Sequence, residues 1–248
     1  MHHFLFFLLL SLVAGGMQPA QAQKIIEKSV ALGKGQRVYL NLRHASNIRI
    51  RAGAAGQLAL KASVDINQNK LNEALKLTQD QTGEEVRFSS DLDKALLQNA
   101  QPGDCPNGGA HYGDTYITHS KKGETQFHDS NGRQAFQVCL KVDYDITVPA
   151  DVTLRVSTIS GDIDIVGLSG AIDAKSISGF VDVTWPAQAA EVSFKTITGE
   201  VYTDQEVAFS NRKDNPIVGY QLRGNLGSNG PLVQLESISN DVYFRKRK

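Results

Sequence analysis

The chain has 248 residues, with 26 Lys and Arg against 26 Asp and Glu, and is 41% hydrophobic. Zero formal net charge argues against a general nucleic-acid binder, which needs a basic face to offset phosphates. The apolar share suffices for a core, and the length suits one large domain or two smaller units.

Residues 1–22 read as a secretory signal peptide. Phe4 to Ala14 is an apolar run of eleven residues, too short to span a bilayer. Ala20-Gln21-Ala22 is a small-x-small cleavage site and predicts Gln23 as the mature N-terminus. The leading segment carries His2 and His3 but no Lys or Arg, so a retained anchor is the competing reading. No Cys follows the run, which gives no support to a lipid-anchored form. No later stretch approaches about eighteen apolar residues, so no transmembrane segment is expected in the mature chain.

Residues 24–66 predict extended strands. Ile25 to Val30 and Arg37 to Leu42 flank the glycine turn at Gly33-Lys34-Gly35, and Val38, Leu40 and Leu42 alternate with polar positions. Ile48 and Ile50 mark a short strand, Leu58 to Ile66 a longer one. Asn69 to Leu77 is the best helix candidate, with Asn69 as cap and Leu71, Ala74 and Leu75 on one face. Leu77 to Gln81 and Glu85 to Ser89 then read as a hairpin about Thr82-Gly83.

Residues 90–136 break the rhythm with Pro102, Gly103, Pro106, Gly108, Gly109, Gly113, Gly123 and Gly132. This is a long irregular insertion. Cys105 lies inside it and Cys139 starts the strand that leaves it; an even cysteine count in an exported chain predicts a disulfide between them. His111, His119 and His128 also fall here. Their spacing matches no metal-ligand motif, so neither a metal nor any other cofactor is expected. Val138, Leu140, Val142, Tyr144, Ile146 and Val148 then alternate with polar residues up to Pro149.

From 151 onward a unit repeats: Ser160-Gly161-Asp162-Ile163-Asp164-Ile165, Ser169-Gly170-Ala171-Ile172-Asp173-Ala174 and Ser178-Gly179-Phe180-Val181-Asp182-Val183. The glycines recur every nine residues. A fixed short period signals a repeat architecture. Thr198-Gly199-Glu200-Val201-Tyr202-Thr203 and Ser239-Asn240-Asp241-Val242-Tyr243-Phe244 continue it, with Asn240 in the glycine slot. Gly161, Gly170, Gly179, Gly199 and Asn240 are therefore expected to be turn residues at positive φ, where glycine and asparagine are favoured. The pattern predicts an all-β fold, a β-solenoid of short strands with one short helix and the long insertion. A β-sandwich of similar hairpins is the alternative. The expected division is 1–22 signal peptide, 23–150 N-terminal β region with the insertion at about 90–136, and 151–248 repeat region continuous with the preceding sheet. Alternation places Ile163, Ile165, Ile172, Val181, Val183, Val201 and Val242 inside and Asp164, Asp173 and Asp182 outside. The closing Arg245-Lys246-Arg247-Lys248 reads as a solvated tail that blunts a sheet edge.

The signal peptide, the Tyr144-Asp145-Ile146-Thr147-Val148-Pro149 strand and the repeated Ser-Gly-Asp-Ile-x-Ile units resemble the exported bacterial family of putative adhesins with β-strand repeats. The resemblance is clearest over 138–203 and 232–244. It implies a cell-envelope or surface protein with no established biochemical activity. The insertion is not part of that pattern.

The chemistry-bearing residues add little to this. If two units make one coil, Asp164 and Asp182 stack about 4.8 Å apart, which a calcium ion could relieve. The calcium-binding nonapeptide, however, needs a Gly-Gly-x-Gly-x-Asp pattern. Evenly repeated aspartates are the wrong pattern for a glycosidase, which needs two inequivalent carboxylates. Gly167-Leu168-Ser169-Gly170-Ala171 falls inside the β repeat, out of the strand-turn-helix context of a nucleophile elbow. Tyr202, Tyr220, Tyr243 and Trp185 could stack on sugars or serve as packing. The expectation is a non-catalytic exported interaction module, with another envelope protein or a surface glycan as candidate partner and no nucleic acid. The rival is a carbohydrate-active lyase or hydrolase using carboxylates near the 100–136 insertion.

Overall fold

Period-two alternation needs a partner layer for its apolar face, and here two large sheets supply it for each other. The computed structural model describes residues 23–101, 103–105, 110–111, 115–119, 125–129, 137–186, 188–213 and 217–247. The signal-peptide segment 1–22, much of the insertion and Lys248 lie outside the described residues.

In the first half the strands are β1 (Lys24–Ala31), β2 (Arg37–Leu42), β3 (Asn47–Ala52), β4 (Gln57–Ile66), β5 (Leu75–Gln81) and β6 (Glu85–Leu92). Helix α1 (Lys94–Leu97) follows. Within the insertion lie β7 (Ala110–His111), β8 (Thr115–His119), β9 (Thr125–Asp129) and β10 (Gln137–Val138). The rest are β11 (Leu140–Val148), β12 (Leu154–Thr158), β13 (Asp162–Val166), β14 (Ile172–Ser176), β15 (Val181–Trp185) and β16 (Ala190–Thr196), then β17 (Val201–Thr203), β18 (Ala208–Phe209), β19 (Leu222–Leu226), β20 (Leu232–Ser237) and β21 (Val242–Lys246).

Sheet I has the order β1-β4-β11-β3-β13-β15-β21-β17, and sheet II the order β18-β19-β16-β20-β14-β12-β2-β6-β5. The central strands of both pair in parallel, and antiparallel strands finish the ends: β1 and β4 in sheet I, β5, β19 and β18 in sheet II. Consecutive strands cross from one sheet to the other. β12 to β13 makes one rung and β14 to β15 the next, and Ile163 of the first pairs with Val181 of the second, eighteen residues on. Strands from both halves of the sequence intermix in each sheet.

The expected uninterrupted solenoid is not what forms. The rungs stack as β2–β3, β12–β13, β14–β15, β20–β21 and then β16–β17. β20 and β21 thus enter between earlier strands, and antiparallel strands close the sheet ends other than the one at β17. A short repeat specifies how one rung sits on another; it does not specify which rung comes next.

The core between the sheets follows the alternation. Ile163, Ile165, Ile172, Val181, Val183 and Val242 are buried, while Val201, on the edge strand β17, is only partly so. Trp185, Phe194 and Phe244 pack together beneath the last rungs. The hairpin at 75–92 forms as the turn residues dictate. The helix over 69–77 does not. Asn67, Gln68 and Asn69 have φ of 50°, 56° and 68°, and only a 3₁₀ turn at Asn72–Ala74 precedes β5. Short polar side chains here bond to backbone instead of releasing it to a helix: Asn72 Oδ1 accepts from the Ile66 N–H at 2.7 Å, and Asp65 Oδ1 from the Asn69 N–H at 2.8 Å.

Candidate functional site

The repeat turns at Gly161, Gly179, Gly199 and Asn240 occupy one edge of the stack, and that at Gly170 the opposite edge. None of Gly161, Gly170, Gly179, Gly199 or Asn240 has a positive φ, which corrects the left-handed expectation. Glycine is required at the four glycine positions by a close approach of backbones. A Cβ on Gly179 would lie 2.0 Å from the Gly161 carbonyl oxygen, one on Gly161 2.6 Å from that of Ala45, and one on Gly199 2.2 Å from that of Asn240. At the opposite edge a Cβ on Gly170 would lie 2.2 Å from the Val152 carbonyl oxygen.

Three residues before Gly161, Gly179, Asn240 and Gly199 stands a hydroxyl: Thr158, Ser176, Ser237 and Thr196. Each accepts from its own turn N–H, at 3.4 Å from Gly161, 2.9 Å from Gly179, 3.1 Å from Asn240 and 3.0 Å from Gly199. The last three also donate to the turn carbonyl of the neighbouring rung: Ser176 to Gly161 at 2.9 Å, Ser237 to Gly179 and Thr196 to Asn240 at 2.8 Å each. These turns are therefore a scaffold, joined by a continuous hydroxyl ladder.

The aspartates face outward but are half buried. Asp164 and Asp182 pair in register, as the stacking argument expects, and arginines offset their charge. Arg51 reaches Asp164 at 2.9 Å, Arg245 reaches Asp182 at 2.9 Å, and Arg155 reaches Asp173 at 3.3 Å. Burial raises the pKa of Asp182; Arg245 opposes the shift and Asp164 adds to it. Burial raises Asp173 in the same way, against Arg155. Among the described residues, no three His, Cys, Asp or Glu are placed to share a metal ion. The side chains of His111, His119 and His128 lie outside the described set.

Cys105 and Cys139 are disulfide-bonded across a separation of 34 residues. The bridge closes the base of the insertion, and the left-handed run after β4 is bound to it through Asn67, whose Oδ1 accepts from the Cys139 N–H at 2.9 Å. Asp104 beside it is buried. Burial alone would raise its carboxyl, but Lys70 at 2.6 Å and the Gln101 N–H at 2.8 Å hold it below the ordinary value. That pairing makes Asp104 a clamp for the insertion.

Across the outer face of sheet I the register forms one row: Glu27, Lys61, Asp145, Arg49, Asp164, Asp182, Tyr243, Tyr202. Charge alternates from Glu27 to Asp164, Asp182 repeats the negative sign, and aromatics follow. Tyr202 and Tyr243 stack at 5.2 Å with planes 13° apart, and Phe180 meets Tyr243 edge-on at 6.1 Å. Tyr202 is 45% exposed, on a strand with no further neighbour in its sheet. Its hydroxyl donates to Glu200 at 2.7 Å, which pushes its pKa up to about 12; the Tyr243 hydroxyl donates to Asp241 at 2.9 Å. Trp185, grouped with these tyrosines in sequence, is instead fully buried. Register alone brings Phe180, Glu200 and Asp241 to the stack, and the repeat alignment of Tyr202 with Tyr243 was the signal for it.

No family model and no curated protein matches the chain.

Solved structures resemble it at low identity. A putative cell adhesion protein from Clostridium sporogenes is 11% identical, with TM-score 0.49, covering 91% of this chain and all of that one. A putative adhesin from Bacteroides fragilis is 9% identical, with TM-score 0.24, covering 92% and 99%. Another from Parabacteroides merdae is 7% identical, with TM-score 0.22, covering 91% and 97%. At these values the likenesses transfer neither fold nor function to this chain.

Proposed function

We propose that the chain is an exported, non-catalytic interaction module of the cell envelope or outer surface, of the β-repeat adhesin type. Its binding face is the outer face of sheet I at β15, β21 and β17, and a surface glycan is the ligand class. Residues 1–22 act as the cleaved leader and 23–248 as the mature chain; the disulfide supports an oxidising compartment.

The observation that carries the reading is the Tyr202–Tyr243 stack at the open edge of sheet I. An exposed aromatic face takes the apolar face of a sugar ring. Glu200, Asp241 and Asp182 around it supply acceptors for sugar hydroxyls, and Arg245, 4.7 Å over the Tyr243 ring, fixes that ring in place. The ionic row beside the stack is internally paired, which suits a scaffold.

The test is binding of the protein to a panel of bacterial and host glycans. Tyr202→Ala should weaken binding by about tenfold, the loss of about 1.4 kcal/mol, with an unchanged melting temperature. Equal binding by Tyr202→Ala, or no glycan bound by the parent, would remove the platform from consideration.

A further inference from the structure

The outer face of sheet I steps down near its β1 end. Ser29, Ala59 and Thr147 stand side by side in register, with Arg51 next to them on β3. One row toward the Gly161 edge stand the longer Glu27, Lys61, Asp145 and Arg49. Same-face residues lie two apart along a strand, so long side chains rise beside short ones. The result is an open depression of about 460 Å³, within the size range of small-ligand sites.

Four cations, Lys28, Lys61, Arg49 and Arg51, line it against two acids, Glu27 and Asp145. Ion pairs use only part of this positive charge. Both terminal nitrogens of Arg51 donate to Asp164, at 3.4 and 2.9 Å. Arg49 is held by one nitrogen: its Nη1 donates to Asp145 at 3.4 Å, and the rest of its fork has no partner among the described residues. Glu27 and Asp145 stand opposite Lys61 in register. Even so, the exposed Lys61 ammonium has no ion pair or hydrogen bond among the described residues. Counting Asp164, four cations meet three acids.

We propose that this depression is the subsite for a carboxylate-bearing sugar, so that the glycan of this face is one that mixes neutral and acidic residues. The proposal rests on the glycan reading above and adds the charge of the ligand. Charge selects the occupant. A surplus of one cation matches a carboxylate, whereas a phosphate ester carries close to two negative charges at neutral pH. The open edge of the Arg49 fork fits a carboxylate's two oxygens, and the Lys61 ammonium adds a further charged donor. The Ser29 hydroxyl accepts from Gln57 at 2.8 Å and still has its proton to give to a sugar oxygen. Around the tyrosine stack the balance is reversed. Glu200, Asp241 and Asp182 border it against Arg245, so a neutral sugar belongs there. β11 and β21 are four strands apart in sheet I, about 19 Å at about 4.8 Å per strand. One extended oligosaccharide laid across the strands reaches both places.

The experiment has two arms, both on the full chain. In the first, isotope-labelled protein is titrated with sodium glucuronate, glucose and glucose 6-phosphate while backbone amide signals are followed. Glucuronate should move the signals of Ala59, Lys61 and Thr147, and glucose should not. Lys61→Gln should weaken glucuronate binding by about tenfold at an unchanged melting temperature, since the parent ammonium has no partner to lose. Added salt should weaken binding as well. In the second arm, a polysaccharide of alternating glucuronic acid and N-acetylglucosamine is compared with its carboxyl-reduced form. The parent should favour the acidic form, Lys61→Gln should lose most of that preference, and Tyr202→Ala should weaken both forms alike. Ala59 and Thr147 signals that ignore glucuronate, an equal response to glucose, or unchanged affinity in Lys61→Gln overturns the proposal. A stronger response to glucose 6-phosphate overturns the carboxylate assignment. A parent that binds both polysaccharide forms equally defeats the subsite and leaves the tyrosine platform standing. A parent that binds neither defeats the platform, and the monosaccharide titration still decides the depression.

Discussion

Replacing Gly179 with alanine puts a methyl where no atom can go. Its Cβ would lie 2.0 Å from the Gly161 oxygen, 2.4 Å from the Gly161 carbonyl carbon and 2.8 Å from the Asp162 nitrogen. All three are backbone atoms, so no side chain can swing aside, and the two rungs must part by about 1 Å to restore ordinary contact. Overpacking of this kind costs about 1–3 kcal/mol. Parting the rungs also stretches the ladder in which Ser237 donates to the Gly179 carbonyl and Ser176 to that of Gly161. Leaving one such buried group unpaired adds about 1–3 kcal/mol. Gly179→Ala should therefore destabilise by about 2–6 kcal/mol, a fall in melting temperature of roughly 5–20 °C for a chain of this size. Gly83 is the control: a Cβ there meets nothing within 4 Å and its φ is not positive, so Gly83→Ala should fall within about 0.5 kcal/mol of the parent. Because φ at Gly179 is ordinary, Gly179→Asn should be at least as damaging as Gly179→Ala. Thermal and urea unfolding of the three variants decides the matter. If Asn is tolerated where Ala is not, the left-handed turn is right and the close approach is wrong. If Gly179→Ala matches Gly83→Ala, the rungs do not stack as described.

Further expectations can be checked on the same protein. Ser237→Ala leaves the Asn240 N–H and the Gly179 carbonyl without their buried partner and should cost about 2–4 kcal/mol in urea unfolding, against about zero for the exposed Ser178→Ala. Asp182 has a folded pKa raised by burial above 3.8. The stability it contributes is fully present below that value and is lost as pH rises through the folded pKa. Asp182→Asn should flatten this part of the stability profile, and Arg245→Met, which removes the opposing cation, should move the loss to higher pH. Replacing both cysteines by alanine should cost about 3–4 kcal/mol in the chain-entropy model, with free-thiol labelling of the unreduced, denatured parent finding no reactive thiol.

Much of the core was legible because alternation is a local property: each of Ile163, Ile165, Val181 and Val183 lands inside from its neighbours' polarity alone. The nine-residue glycine period was legible too, but its cause was not. A repeated glycine reads the same whether it supplies a backbone conformation or simply lacks a side chain, and only the stacked rung distinguishes the two. Nothing in the sequence sets a task for Thr158, Ser176, Ser237 and Thr196, because a hydroxyl between rungs has its partner on a distant segment. The 69–77 stretch misled because helical spacing of Leu71, Ala74 and Leu75 was outweighed by Asn and Asp side chains bonding the backbone. For the interaction surfaces, the Tyr202–Tyr243 alignment was visible. The exposure of Ile217 and Val218 was not, since two neighbouring aliphatics look the same whether they fold inward or stand in solvent.

The rung order has a consequence for how the chain comes into being. β20 and β21 follow β16 and β17 in the sequence, and among the described residues they are the strands that pair with both β14–β15 and β16–β17. A chain delivered from its N-terminus, whether from a ribosome or through an export channel, must hold β16 and β17 in waiting until residues 232–246 arrive. Until then β14 and β15 present open parallel edges, the geometry most prone to capture a foreign strand. Loss of residues 232–246 would divide the stack in its interior rather than shorten it at one end. Commitment to the folded state thus waits on these two strands, so termination before them should yield a chain prone to aggregation instead of a smaller working protein.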